Sequence, residues 1–170
     1  MSLGSMEALF LNELKDVYNA EKQIVKALPR MAKAASSDAL RDAFTKHLRE
    51  TEGHVRRLEQ IFKSLDLAPR GKTCKGMTGL LEEGKEILEE EGEPEVIDAA
   101  LIAAAQRVEH YEMAAYGCLR TYAQLLGRDE AAELLQRTLA EEEAADETLT
   151  ALGEGGINQA AMAAHGEEDA

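Results

Sequence analysis

Apolar residues recur along this chain at steps of three and four, in four long stretches and one short one. That period is the mark of helices with one buried face. Leu9, Leu14, Val17, Ile24, Val25 and Leu28 predict a first helix from about Met6 to Ala35. Pro29 falls inside it and predicts a kink rather than a stop, because Met31 and Ala32 keep the pattern going. Ser36-Ser37-Asp38 ends that helix and caps the next, about Ala39 to Leu65, whose inward positions are Leu40, Phe44, Leu48, Leu58, Ile61 and Leu65. Ala68-Pro69-Arg70-Gly71-Lys72 breaks the pattern before a shorter helix, about Thr78 to Glu90. Gly92-Glu93-Pro94 starts a third long helix, about Glu95 to Leu126, with Pro94 suited to a first turn. Gly127 then takes the C′ position and Asp129 caps a fourth helix, about Glu130 to Leu152.

Short turn, long connection, short turn predicts an all-α four-helix bundle with one long crossover containing an extra short helix. Each half is a helical hairpin, and the 170 residues suit a single domain spanning 1–170. Its core runs over about 6–152, and the Gly-, Ala- and acid-rich tail 154–170 is expected to be frayed or lightly docked. Met1 to Ser5 carries no weight in this assignment. A hydrophobic fraction of 45% with 31% charged residues, three prolines and no tryptophan fits a soluble helical protein. No apolar run approaches the roughly 18 residues of a membrane span. Without a basic and then apolar leader, a cytoplasmic location is expected. The formal charge of −14 argues against nucleic acid and anionic membrane surfaces as partners, and weakly favours metal ions. Cys74 and Cys118 form no CxxC pair or zinc spacing, and reduced thiols are the simpler expectation.

Several acids then contradict the apolar pattern. Glu109 shares its face with Ile102, Ala105, Met113 and Tyr116, and only Glu112 among its neighbours is polar. A buried unpaired charge costs several kcal/mol, so such a group is protonated, paired or metal-bound. Glu21 is surrounded at helical spacing by Leu14, Val17, Tyr18, Ile24, Val25 and Leu28. On the fourth helix Leu135, Thr138, Glu142, Ala145, Leu149 and Leu152 follow one register, which puts Glu142 at a core position. Asp146 lies one turn further, whereas Glu141 and Glu143 are expected in solvent. The second helix offers His47, Glu50 and His54 at spacings of three and four, bordered by Lys46, Arg49 and Arg57. There Thr51, not Glu50, best continues the register, and Glu50 as a surface acid paired with Lys46 or Arg57 stays open.

The helical rise of about 1.5 Å per residue brings these groups toward one level. Glu21 precedes the first turn by about fifteen residues, and Glu50 follows it by about twelve to thirteen. Glu109 precedes the second turn by about nineteen, and Glu142 follows it by about twelve. Four carboxylates with one or two imidazoles, one set per helix, predict a dinuclear carboxylate site in a bundle core. The oxygen-rich donor set suits iron or manganese better than a closed thiolate zinc site.

The stretches Val17 to Gln23, His47 to His54, Val108 to Gly117 and Leu139 to Asp146 resemble the bacterial YciE/YciF-like family. The resemblance covers about Glu7 to Leu152, and the third stretch is its most specific part. It implies a ferritin-like fold, homodimerisation, a tie to stress responses and a candidate di-iron-type site. One departure stands out: the superfamily pattern Glu-x-x-His on the second and fourth helices is missing, because Thr51 precedes His54 and Glu143 precedes Asp146 at that spacing.

Two functions follow as expectations. In the first, the protein binds iron or manganese and turns over peroxide or oxygen. Glu21, Glu50, Glu109 and Glu142 are then ligands or bridges, His54 or His47 the nitrogen ligand, and Glu112 and Asp146 auxiliary. Tyr18, Tyr111 and Tyr116 are either hydrogen-bond partners of that site or core aromatics. In the second, a metal-free, stress-related bundle satisfies its acids internally and acts through dimerisation or partner binding. No nucleophile elbow or phosphate-binding loop supports hydrolysis or phosphate binding.

Overall fold

A computed structural model of the protein describes residues 3–164. Six α-helices account for most of the chain: α1 (Met6–Ala34), α2 (Asp38–Ser64), α3 (Lys75–Glu89), α4 (Pro94–Leu125), α5 (Asp129–Leu152) and α6 (Asn158–Ala164). Among the described residues there is no strand. The long helices α1, α2, α4 and α5 form the ferritin-like four-helix bundle, and α3 lies in the crossover against α4 and α1. No helix of the described residues is long and apolar enough to cross a membrane.

The packing explains why the crossover is long. Two apolar clusters divide the bundle along its axis. One gathers Phe10, Leu14, Leu58, Phe62, Leu119 and Leu135, and the other gathers Ile24, Leu28, Leu40, Phe44, Leu101 and Leu149. The chain runs from the first cluster to the second in α1 and α5, and from the second to the first in α2 and α4. Helix α2 is therefore parallel to α4. A chain leaving the end of α2 must travel the length of the bundle before α4 can begin. Helix α3 occupies that return and adds Met77 to the second cluster. Each fully buried Leu or Phe in these clusters contributes about 1.5–3 kcal/mol relative to exposure.

The helix ends follow local chemistry. Ser5 accepts a hydrogen bond from the Ala8 amide at the start of α1, and Ser37 accepts one from Leu40 at the start of α2. Helix α1 continues through Pro29. Helix α3 begins earlier than the apolar pattern implied, because the Cys74 thiol caps it by accepting from the Met77 amide at 3.4 Å. Pro94 is in the first turn of α4, and Gly127 adopts φ +67° as the C′ residue before α5. Asp129 is the first residue of α5 rather than its cap. Arg128 holds the cap position without a side-chain bond, so Asp129 acts through its charge at the helix N-terminus.

Two connections had no sequence signal. Asp98 of α4 is buried and accepts from the Ser36 amide at 2.8 Å, the Ser36 hydroxyl at 2.7 Å and the Ser37 amide at 2.8 Å. This clamps the α1–α2 turn to the start of α4. Beyond α5, a π-helical segment (Gly153–Ile157) turns at Gly156, φ +152°, where a residue with a Cβ is strained. The short α6 then packs on α4 with Met162 largely exposed, a light docking of the tail. Residues 165–170 of that tail lie outside the described residues.

Candidate metal centre

Between the two apolar clusters lies a polar layer. Helix α1 contributes Glu21, α2 contributes His47, Thr51 and His54, α4 contributes Glu109 and Glu112, and α5 contributes Thr138 and Glu142. All eight are buried. On each helix they occupy the inward register, continuing the apolar stripe above and below. Water cannot solvate them, and the bundle places them against one another.

His47 points its Nε2 to 3.1 Å from Glu109 Oε1 and 3.7 Å from Glu142 Oε2. About two turns further along α2, His54 holds Nδ1 at 3.3 Å from Glu21 Oε1 and 2.9 Å from Glu142 Oε1. Glu142 thus reaches both imidazoles. These approaches are in ion-pair range, but both His47 nitrogens, His54 Nδ1 and both Glu142 oxygens lack a hydrogen bond of good geometry. Both oxygens of Glu112, with Glu21 Oε2 and Glu109 Oε2, are also buried without a partner. Side chains that paired for their own sake would point at each other. Here the atoms face shared spaces instead.

Two such spaces are defined. His47, Glu109, Glu112 and Glu142 each offer a donor atom within 4.8 Å of the others, and so do Glu21, His54 and Glu142. Imidazole nitrogen with several carboxylate oxygens is a donor set for iron, manganese or another divalent ion of borderline to hard character. Glu142 is common to both groups and can bridge them.

The outer edge of each imidazole also meets a carboxylate. His54 Nε2 lies 2.9 Å from Glu141, and Arg57 donates to both Glu141 oxygens at 2.7 Å and to the Thr138 hydroxyl at 3.0 Å. His47 Nδ1 lies 3.7 Å from Glu50 Oε2, while Lys46 holds Glu50 Oε1 at 3.2 Å. An outer carboxylate orients an imidazole and directs its other nitrogen inward. On the α1 side, the buried Tyr116 hydroxyl donates to Glu21 Oε1.

Electrostatics follow from this crowding. Burial pushes Glu112 well above the usual carboxylate range, and the charges of Glu142, Glu21 and Glu109 add to it. Burial also pushes Glu142 up to about 8, although His54 pulls the other way. Both imidazoles are opposed by burial yet raised by their acids: His47 goes well above 6.5, chiefly through Glu109, and His54 reaches about 10 through Glu21 and Glu142. At the outer edges His47 and Lys46 pull Glu50 down, and Arg57 pulls Glu141 down against its burial.

The structure brings together Glu21, His47, His54, Glu109, Glu112 and Glu142, and leaves two sequence candidates outside both groups. Glu50 lies about 70° around α2 from the centre of the His47–Thr51–His54 face, at 100° per residue, and is half-buried at the rim. Asp146 turns away to Gln106 at 3.2 Å and to the exposed His110 at 3.3 Å. Of the three tyrosines, Tyr116 alone touches a grouped carboxylate. Tyr18 donates to Glu59, and Tyr111 bonds Asp16 and the Cys74 thiol. Glu141 was expected in solvent. Its partner Arg57 lies on another helix, and the run Glu141 to Glu143 carries no sign of that pairing.

Comparison with known proteins agrees with this architecture. The chain is 46% identical over 162 residues to "Protein YciF" of Escherichia coli (strain K12), covering 95% of this chain and 98% of that protein. The crystal structure of that protein, described as a stress protein, superposes with a TM-score of 0.88 over 92% of this chain and 99% of that one. The structure of YcfI from Rhodopseudomonas palustris, 43% identical, matches with a TM-score of 0.85 over 88% and 95% of the two chains. A protein of Xanthomonas campestris at 18% identity shares the fold, with a TM-score of 0.76 over 95% and 99%. The family described as "Domain of unknown function (DUF892)" matches residues 5–162, and this chain belongs to it.

Proposed function

We propose that this protein is a stress-associated, metal-binding bundle protein whose polar layer holds two iron or manganese ions. One ion is held by His47, Glu109, Glu112 and Glu142, and the other by Glu21, His54 and Glu142. The observation that carries this reading is Glu112: it is 1% exposed, both its oxygens lack a partner, and three further acids converge on the same layer. Such a group stays protonated unless a cation lies beside it.

Charge balance supports two ions. Four ionised carboxylates and two neutral imidazoles carry four negative charges, which two divalent cations cancel. Without cations the layer reaches neutrality only by retaining protons, and the upward shifts of Glu112, Glu142, His47 and His54 describe that state. Bound iron or manganese supplies one-electron chemistry toward peroxide or dioxygen. The chain's own residues position the donors: Glu141 with Arg57 fixes the His54 ring, Glu50 faces the outer nitrogen of His47, and Tyr116 holds one oxygen of Glu21. The two apolar clusters exclude water from either end. The similarity to a named stress protein supports the biological role, and the reading extends to a cytoplasmic homodimer.

Metal analysis of protein purified without chelator tests the centre. About two equivalents of iron or manganese per chain are expected, with a large loss in Glu109→Ala. Metal-free protein that resists anaerobic reconstitution would overturn the reading. The four acids would then serve a proton-sharing layer in a bundle acting through partner contacts.

A further inference from the structure

The His47 half of the layer adjoins a cavity of about 30 Å³, walled by Leu28, Phe44, Ala105, Ala145 and Leu149 and ending at His47 and Glu109. Ala145 follows Glu142 by three residues, the spacing at which ferritin-like bundles carry the imidazole of Glu-x-x-His. Here a methyl group occupies that position and lines the cavity. The missing nitrogen has a counterpart on α2, where His47 approaches from the opposite wall. Two polar atoms at the inner end are buried and lack a hydrogen bond, His47 Nε2 and Glu109 Oε2, while His47 Nδ1, also without one, lies on the Glu50 side. His47 is itself only 6% exposed. At the rim stand Lys46 and Glu50, joined at 3.2 Å.

We infer that this cavity is a binding position for an exogenous ligand of two or three heavy atoms, neutral or singly anionic, beside the ion held by His47, Glu109, Glu112 and Glu142. The inference rests on the metal reading above. Size sets the upper limit, since the space admits on the order of two water molecules. The walls set the charge limit: they are mostly aliphatic and aromatic, and the one lysine at the rim, Lys46, is already paired with Glu50, which leaves little counter-charge for a multiply charged ion. The other half is more crowded. Around His54 the space is taken by Tyr116, Thr138 and the Arg57–Glu141 pair. The two ions therefore differ in access, with ligand exchange confined to the His47 side.

Azide is the probe, titrated into iron-loaded protein and followed by visible absorption, with iron content measured in every sample. The unmodified protein is expected to give a saturable azide-dependent band. Ala145→Leu, which fills the cavity without adding a donor, is expected to keep its iron and weaken azide binding by roughly tenfold or more. Ala145→His is expected to block azide in the same way while restoring Glu-x-x-His. Iron-loaded Ala145→Leu and Ala145→His that both bind azide like the parent would overturn the cavity assignment and leave the metal reading intact. Parent protein that takes up no iron or manganese would overturn the metal reading and this site with it. Xenon-pressurised crystals give a metal-independent measurement: a xenon atom beside Ala145 and His47 is expected, and none in the cavity counts against the assignment.

Discussion

His47 and His54 lie seven residues apart on the same face of α2, and their ring centroids are 6.3 Å apart. Their outer nitrogens nevertheless meet different surroundings. At His54 the outer carboxylate is Glu141, locked by two 2.7 Å bonds from an Arg57 side chain only 12% exposed. At His47 the outer carboxylate is Glu50, 3.7 Å away and tied to a Lys46 side chain that is 67% exposed. One half is braced by a planar bidentate pair that is largely buried, the other by a more exposed pair beside a cavity. Two unequal donor groups, four residues around His47 and three around His54, are thus held by unequal supports. Rigidity belongs to the His54 half, and access to the His47 half.

The largest expected effects come from the residue that joins the halves. Glu142→Gln should abolish binding of both ions, with affinity falling by at least about 100-fold, beyond the usual loss from an outer-shell change. Glu21→Gln and Glu109→Gln should each remove about one equivalent, from the His54 and His47 halves respectively. Metal content by mass spectrometry after desalting distinguishes these outcomes. Equal losses from Glu21→Gln and Glu142→Gln would show that the halves are not separable through Glu142.

Next in size is the contrast between the supports. Arg57→Ala strips Glu141 of its bidentate partner and leaves Thr138 short of a donor, and should cost about 2–3 kcal/mol, less than a fully buried pair because Glu141 is 27% exposed. Lys46→Ala removes an exposed pair and should cost under about 0.5 kcal/mol. Urea unfolding of the metal-free proteins measures both. Comparable losses would contradict the distinction between a braced half and an open one.

Proton linkage gives a smaller, distributed effect with a defined sign. His54 is raised from 6.5 to about 10, so its stabilising contribution is full below 6.5 and is lost as pH rises through 10. Glu142 is raised from 4.5 to about 8, so the folded state holds more protons than the unfolded one between those values. Stability therefore falls with rising pH across that window as well. The metal-free protein should lose urea midpoint steadily from pH 5 to pH 9. Metal displaces the same protons, so metal affinity should rise over that range, and loading should flatten the stability profile. A metal-free midpoint that increases toward pH 9 would contradict the crowded, proton-retaining layer.

How far the sequence revealed this centre depends on what each residue contradicts. Glu21, Glu109, Glu112 and Glu142 interrupt apolar stripes, and burial of the stripe carries the acid inward with it. The bundle and its crossover were legible for the same reason, from the 3.6-residue period and the turn residues. On α2 the signal was weaker. His47, Thr51, His54 and Leu58 share a face, but His47, Glu50 and His54 are all polar, so no stripe was broken and Glu50 stood equal to the histidines. Glu141 and Asp98 were beyond reach because neither contradicts anything local. Their partners are Arg57 on another helix and the amides of a turn more than 60 residues away.

Thr51 is expected to leave metal content unchanged, and it sharpens the comparison most. It stands where Glu-x-x-His would place its carboxylate before His54, at 0% exposure, midway between the two halves. Its hydroxyl donates to the His47 carbonyl at 2.8 Å. That bond satisfies the side chain within its own helix, so the hydroxyl is not left facing the donor groups. Thr51→Val keeps the shape and deletes the bond, and should shift stability by less than about 1 kcal/mol while leaving metal content unchanged. A loss of metal in Thr51→Val would give the hydroxyl a place among the donors. Unchanged content would mean that α2 meets the layer through its two imidazoles alone, and that the different strengths of the two halves arise at the layer's outer edge, at Glu50 and Glu141.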